Sequence, residues 1–294
     1  NICLNKKATY LPLGVIGGGN RAVTQGYSRP FAPNGSASVV EALPWRFAGD
    51  LLLIHFSAEP AALSALLPAP LEPADNPSEA FLWSPNLRCY PASLSPGEIG
   101  PARTHYNVAV IGVPCKFDGK NTMYSAFQWG DKDWLVILSW FLGACSKMGE
   151  FHQSGTHPML PNMNQDFSLG THLNRSVSRH GEKLIDMSFI PSEEIKLTDM
   201  EFYLKNLPLT CERHFPDCHV PPRGRPLVHD LTQMIMTDTE FGTILKGDAN
   251  LSFYEADNEE LMPLQPKEVF GGYWLPMGFM LEGIKTVYDY LEQG

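Results

Sequence analysis

The apolar and polar positions of the chain change period several times, and these changes cut it into short, mostly extended segments. Residues 50–56, Asp-Leu-Leu-Leu-Ile-His-Phe, form an apolar run of strand length. Residues 59–67 follow with helical spacing, ended by Pro68 and Pro70, because proline lacks the amide hydrogen that a helix needs. Residues 79–90 and 105–117 read as strands, the second with Val108, Val110 and Ile111 in its apolar set. Asp118-Gly119 is a hairpin signal leading into a strand over 122–129. Residues 131–142 read as a buried helix that Asp131 caps and Gly143 ends. Further strands are expected over 183–190, 226–237, 249–255 and 269–275, and a closing helix over 282–292.

Short strands separated by Gly, Pro, Asn and Asp turns, with few helices, predict a mainly antiparallel α+β fold, a barrel or sandwich with helical decoration. Residues 1–40 lack periodicity and read as an irregular N-terminal arm; 41–294 show no linker or internal repeat and read as a single domain. Gly14-Val-Ile-Gly-Gly-Gly-Asn20 has the look of a phosphate-binding turn. A dinucleotide fold would place a helix next, whereas Pro30 and Pro33 follow, so that reading is rejected.

Composition narrows the function. The chain is 44% hydrophobic and 18% charged, with net charge -10. That balance argues against nucleic acid or an anionic membrane as partner, since phosphate binding relies on basic clusters. No uncharged apolar run reaches the roughly 18 residues of a membrane span, and residues 1–7 do not resemble a signal peptide. A cytoplasmic location is the expectation. The six cysteines suggest no disulfide framework. Cys211, His214, Cys218 and His219 stand close together, but their spacing fits no common zinc pattern; a loop with incidental Cys and His is expected, and no metal.

The order of features from Tyr106 to Gly149 carries more. A strand opening Tyr106-Asn107-Val108 leads to Pro114, Phe117, Asp118-Gly119 and Tyr124. Asp131 and an apolar helix come next, then Leu142-Gly143-Ala144-Cys145-Ser146-Lys147-Met148-Gly149. This block resembles the centre of the acetoacetate decarboxylase family, which runs from a Tyr-x-Glu strand through a Gly hairpin and an Asp to a Gly-Arg-Glu helix and Pro-Lys-Lys. Pro44-Trp45-Arg46-Phe47 and Ala62 to Glu72 are similar to its N-terminal region. Lys246 to Leu251, Gly271-Gly272-Tyr273 and Val287 to Tyr290 are similar to its C-terminal end. The resemblance spans about residues 44–291 and rests on order and spacing. It implies an acetoacetate decarboxylase-like β-barrel or cone with peripheral helices, a homo-oligomer, no cofactor, and a small-molecule keto substrate.

Without gaps, Lys147 falls on the first lysine of Pro-Lys-Lys. The resemblance implies that this amine attacks a ketone to form an iminium, whose electron withdrawal lets an adjacent carboxylate leave. Attack needs a neutral amine, produced by desolvation or a nearby cation, an activation for which acetoacetate decarboxylase is itself the standing example. Glu150 and His152 are candidate acid and base partners. The departures are as informative: Met148 replaces the second lysine, Trp140 and Phe141 stand where Arg-Glu would be, and Val108 where the acidic residue would be. Around Gly49 and Asp50 the family's early arginine has no clear counterpart. Val108, Trp140, Phe141 and Met148 are therefore expected to line an apolar pocket. The expected activity is a lyase acting on a keto acid or larger keto metabolite, in a secondary-metabolic setting, by decarboxylation, aldol or dehydration chemistry, or cyclisation through Lys147. The alternatives are a cyclase or hydratase without an imine, and a non-enzymatic small-molecule binding protein.

Overall fold

The computed structural model describes residues 24–94, 98–155 and 168–292. The chain divides into two compact units, 1–42 and 43–294. In the first, residues 24–42 carry one isolated bridge, Gln25 to Ala32, and serine hydroxyls stand in for regular pairing: Ser28 Oγ donates to Val40 O at 2.9 Å and Ser38 Oγ to Ser28 O at 2.9 Å. The Gly14 to Asn20 turn lies outside the described residues.

The second unit is built on strands. In chain order they are β1 (Trp45–Ser57), β2 (Glu72–Pro73), β3 (Glu79–Pro91), β4 (His105–Phe117), β5 (Lys120–Gly130), β6 (Ser146–Met148), β7 (Glu150–Gln153), β8 (Leu173–Arg179), β9 (Glu182–Ile195), β10 (Leu209–Phe215), β11 (Val228–Phe241), β12 (Ile244–Phe253) and β13 (Glu268–Asp289). Among the described residues three helices accompany them: α1 (Pro60–Ala65), α2 (Asp133–Leu142) and α3 (Glu201–Leu204). Pairing runs β1-β3-β4-β5-β10-β11-β13 and returns from β13 to β1, closing a barrel of seven strands. Its pairings are antiparallel except β5 with β10. The closure depends on the 22 residues of β13, whose first part pairs with β1 and whose second part pairs with β11.

β12 branches from β13 and continues the sheet through β9, β8 and β7. This extension packs over the outside of β1, β3, β4 and β5. Leu52, Ile54, Leu82, Ala109, Ile111 and Trp129 of the barrel meet Val177, Ile185, Met187, Phe189, Leu251 and Phe253 in the main core. Alternation along β4 explains the arrangement. Ala109 and Ile111 point outward into that core, while Tyr106, Val108 and Val110 point into the barrel. A strand buried on both faces reads as one continuous apolar run.

Three local expectations are corrected. Residues 282–289 are strand, not helix: Ile284, Val287, Tyr288 and Leu291 have helical spacing, but Thr286, Lys285 and Ile284 pair with Thr232, Gln233 and Met234 of β11. The β-branched and aromatic side chains of this stretch suit a pleated surface, and closing the barrel decides the matter. Asp131 does not cap α2. Its carboxylate accepts from the Asn107 backbone N–H and Nδ2, both at 2.9 Å, and so pins β4. Cys211 and His214 lie on β10 rather than in a loop, with only Cys218 and His219 beyond its end. Gly143 does end α2, at φ 100°, a left-handed conformation in which glycine carries no penalty.

Candidate functional site

The barrel encloses a cavity of about 180 Å³. Its wall is made by the inward faces of the strands, with Phe47 and Leu51 from β1, Leu87 from β3, Val108 and Val110 from β4, and Met234, Met277 and Phe279 from β11 and β13. α2 closes one side. Its buried residues Leu135, Leu138, Ser139 and Leu142 recur at helical spacing, so one face of the helix covers the barrel. Tyr203 of α3 and Leu207 beyond it add to the wall. Met236 is exposed and Met277 and Phe279 are half-buried, and they mark where the cavity nears the surface. Methionine is adaptable, so this side can reshape around a ligand.

Among the described residues that line the cavity, none carries an amine, guanidinium or carboxylate. Its polar atoms are few and neutral. Gln128 Nε2 donates to Ser139 Oγ at 2.8 Å, linking β5 to α2. Burial pushes the Tyr106 and Tyr203 phenols up from their ordinary value, Tyr106 further raised by Cys89 and Asp131, so both hydroxyls keep their protons. Trp83 is 7% exposed, and its Nε1 has no hydrogen-bond partner among the described residues. A buried donor left unpaired is destabilising by about 1–3 kcal/mol, so an acceptor atom on a bound molecule would relieve it. Such a wall can select an apolar body with one oxygen acceptor.

Lys147 lies elsewhere. β6 runs parallel to β5, pairing Ser146 with Gln128 and Lys147 with Trp129. Gln128 faces the cavity and Trp129 the outer core, so Ser146 takes the cavity side and Lys147 the outer side. Lys147 Nζ donates to Asn258 O at 2.7 Å and pairs with Glu259 Oε2 at 3.0 Å. The Glu259 side chain is 1% exposed and also accepts from Arg179 Nη1 at 3.2 Å and Trp129 Nε1 at 3.3 Å. The result is an ion-pair cluster joining β5, β6, β8 and the segment after β12.

The other candidates are dispersed. Val108 lines the cavity. Trp140 and Phe141 sit on the outer face of α2, where Trp140 Nε1 donates to Ser146 O at 2.8 Å and anchors β6. Met148 is 46% exposed. Glu150 and His152 lie exposed on β7, opposite Ser178 and Ser176. None of Lys147, Glu150 and His152 lines the barrel cavity. His55 packs against both Phe81 and Phe202 and meets Glu79 Oε1 at 2.8 Å, a structural arrangement. Arg213 is held by Asp230 at 3.0 and 2.7 Å. Trp83, Tyr203 and Gln128 were not picked out from sequence; the alternation that puts Trp83 on the face of Leu87 was the available signal.

Residues 28–291 match the sequence profile of the acetoacetate decarboxylase family. With the barrel and its enclosed cavity, that match identifies the chain as a divergent member of the acetoacetate decarboxylase family. No curated protein sequence matches it. Among solved structures it is similar to an acetoacetate decarboxylase-like enzyme from Sphingomonas wittichii RW1, at TM-score 0.81 and 24% identity over 90% of this chain and 99% of that one. It is also similar to the enduracididine biosynthesis enzyme MppR complexed with the condensation product of pyruvate and imidazole 4-carboxaldehyde, at TM-score 0.79 and 24% identity over 92% and 100%. Acetoacetate decarboxylase from Legionella pneumophila follows at TM-score 0.72 and 16% identity over 90% and 94%. At these identities the likeness concerns the fold. No helix among the described residues is long and apolar enough to cross a membrane.

Proposed function

We propose that this chain is a lyase-type enzyme that holds a small, largely apolar carbonyl compound inside the barrel and acts on it without an imine. The observation that carries this reading is the neutral, amine-free lining of the cavity, with Lys147 Nζ engaged by Glu259 and Asn258 on the other side of the strand. An iminium mechanism needs an amine lone pair free to attack. What the wall offers instead is shape, two protonated phenols and an unpaired indole N–H. Donors fixed in a dry site stabilise charge developing on a carbonyl oxygen, because they need not reorganise as it forms. That suits hydration or cyclisation of a compound folded by the cavity. A carbonyl ligand agrees with MppR, whose solved complexes contain pyruvate and a pyruvate condensation product.

Borohydride trapping with a panel of ketones, read by intact mass, tests the reading. The expected result is no lysine adduct, with turnover of the eventual substrate largely kept in Lys147→Met. A trapped adduct that vanishes in Lys147→Met would overturn it and restore the iminium route.

A further inference from the structure

A second pocket, of about 210 Å³, lies outside the barrel between its outer face and β7–β8. Its walls include Asn86, His105, Asn107, His152, Gln153 and Arg175. Arg175 is 6% exposed. Its guanidinium lies over the Trp274 ring at 5.3 Å, and Nη1 donates to the Ser84 carbonyl and to Ser84 Oγ. Nε and Nη2 have no partner among the described residues. No carboxylate of the described residues lies within ion-pair distance of this guanidinium; Asp50 reaches it only through its field. Burial draws Arg175 down to about 10 and raises Asp50, so each charge is disfavoured by its surroundings. A buried guanidinium with unused donors is strongly disfavoured unless something pairs with it.

The rest of the wall shows what could pair. Asn86 Nδ2 donates to Asn107 Oδ1 at 2.7 Å, Asn107 donates to Asp131, and Arg88 donates to Asn86 Oδ1. Those amides are committed to one another, so the buried Nε and Nη2 of Arg175 remain unpaired donors beside the pocket. Nε and Nη2 form one edge of the planar guanidinium, two parallel N–H groups spaced to match the two oxygens of a carboxylate. Arg175 and, through its bond to Asn86, Arg88 bring two guanidiniums to this wall, with Asp50 acting on both through its field and Asp131 bonded to Asn107. The volume lies below the roughly 300–1,000 Å³ of pockets for drug-sized ligands. We propose that this pocket binds a small carboxylate, held two-pronged by the Nε/Nη2 edge of Arg175, at a site separate from the barrel interior.

The test titrates the full chain with sodium acetate at constant ionic strength, against sodium chloride and sodium phosphate. It is read by calorimetry and by the Arg175 Nε–H resonance. Acetate is expected to bind saturably and to shift that resonance, with neither control salt doing so. Arg175→Met is expected to weaken acetate by at least about tenfold, the loss of charge-assisted hydrogen bonds. Gln153→Glu, at an exposed rim position, places a competing carboxylate beside the pocket and is expected to weaken acetate similarly; it carries the test if Arg175→Met fails to fold. Trp83→Phe, in the barrel wall, is expected to leave acetate binding unchanged. Absence of saturable binding, an equal response to chloride or phosphate, unchanged affinity in Gln153→Glu, or loss in Trp83→Phe would each overturn the proposal.

Discussion

The two sides of one barrel wall contrast sharply in chemistry. Inside, the side chains around the cavity are apolar or neutral. Outside, the layer covered by β7–β9 holds Lys147, Arg179 and Glu259 in one cluster and Arg175 in another. The strands are shared, so the separation comes from alternation alone: on β5, Gln128 faces in and Trp129 out. Neighbouring positions of one strand therefore face opposite sides of the wall. The difference teaches that a lysine expected at the pocket from sequence need not put its amine in the cavity.

The outer cluster gives the largest expected effect. Glu259 holds two cations and an indole N–H while fully buried. Glu259→Leu would leave Arg179 and Lys147 without their carboxylate. Breaking a buried ion pair from one side is destabilising by about 3–5 kcal/mol. Lys147→Met should lower stability much less, by about 1 kcal/mol, because the Lys147 side chain is 35% exposed and Arg179 and Trp129 still hold Glu259. Chemical denaturation of both variants checks the order. Equal losses would mean that Lys147, rather than Glu259, organises the cluster.

Placing a charge inside the barrel should break the contrast from the other side. Val108→Glu puts a carboxyl among the apolar side chains of the cavity wall. Desolvation raises its pKa above the unfolded value near 4.3, so the variant should be less stable than wild type by about 3 kcal/mol at pH 7. Below pH 4 the carboxyl is neutral in both states and that deficit should disappear. Thermal unfolding from pH 4 to 8 measures it, and a deficit independent of pH would mean that packing, not charge, is the cause.

How much of this was readable from sequence depends on whether information was local. β4 was legible over its full length because its apolar residues and the Asp118-Gly119 turn mark it. The strand content of residues 282–289 was hidden, because its helical spacing is local while its partners on β11 are some 50 residues away. β6 and β7 are three and four residues long among glycines, too short for any period to register. Val108 was expected at the pocket from the family resemblance, which sets it where an acidic residue would stand, and it lines the cavity. The side on which Lys147 falls could not be read, since it follows from pairing Ser146 with Gln128, a tertiary fact that a one-residue shift reverses.

A gentler effect should appear at alkaline pH. Burial pushes the thiols of Cys89, Cys115 and Cys211 up from about 9 to about 12. Below pH 9 these thiols are protonated in both states and contribute no pH dependence. Between about 9 and 12 the unfolded chain binds fewer protons, so stability falls as pH rises, by about 1.4 kcal/mol per pH unit for each thiol. Cys211→Ala should flatten the fall between pH 9 and 11 by one such increment. An unchanged slope would show that Cys211 ionises in the fold, and hence that the wall between β10 and α2 admits water.

The finest discrimination concerns the indole of Trp83. Trp83→Phe keeps an aromatic wall and removes the unpaired Nε1 donor, so lost packing and relief of the orphaned group should offset within about 1 kcal/mol. Ligand binding should respond more selectively. If Nε1 donates to a bound carbonyl oxygen, Trp83→Phe should weaken cyclohexanone by about five- to tenfold and leave methylenecyclohexane, which has the same body without the oxygen, nearly unchanged. Competition titrations with both probes against wild type and variant measure the ratio. Equal weakening of the two would sink the donor role and reduce Trp83 to a packing surface. A selective loss would make Trp83 Nε1, one of the unpaired buried polar atoms among the described residues, the group that orients the substrate.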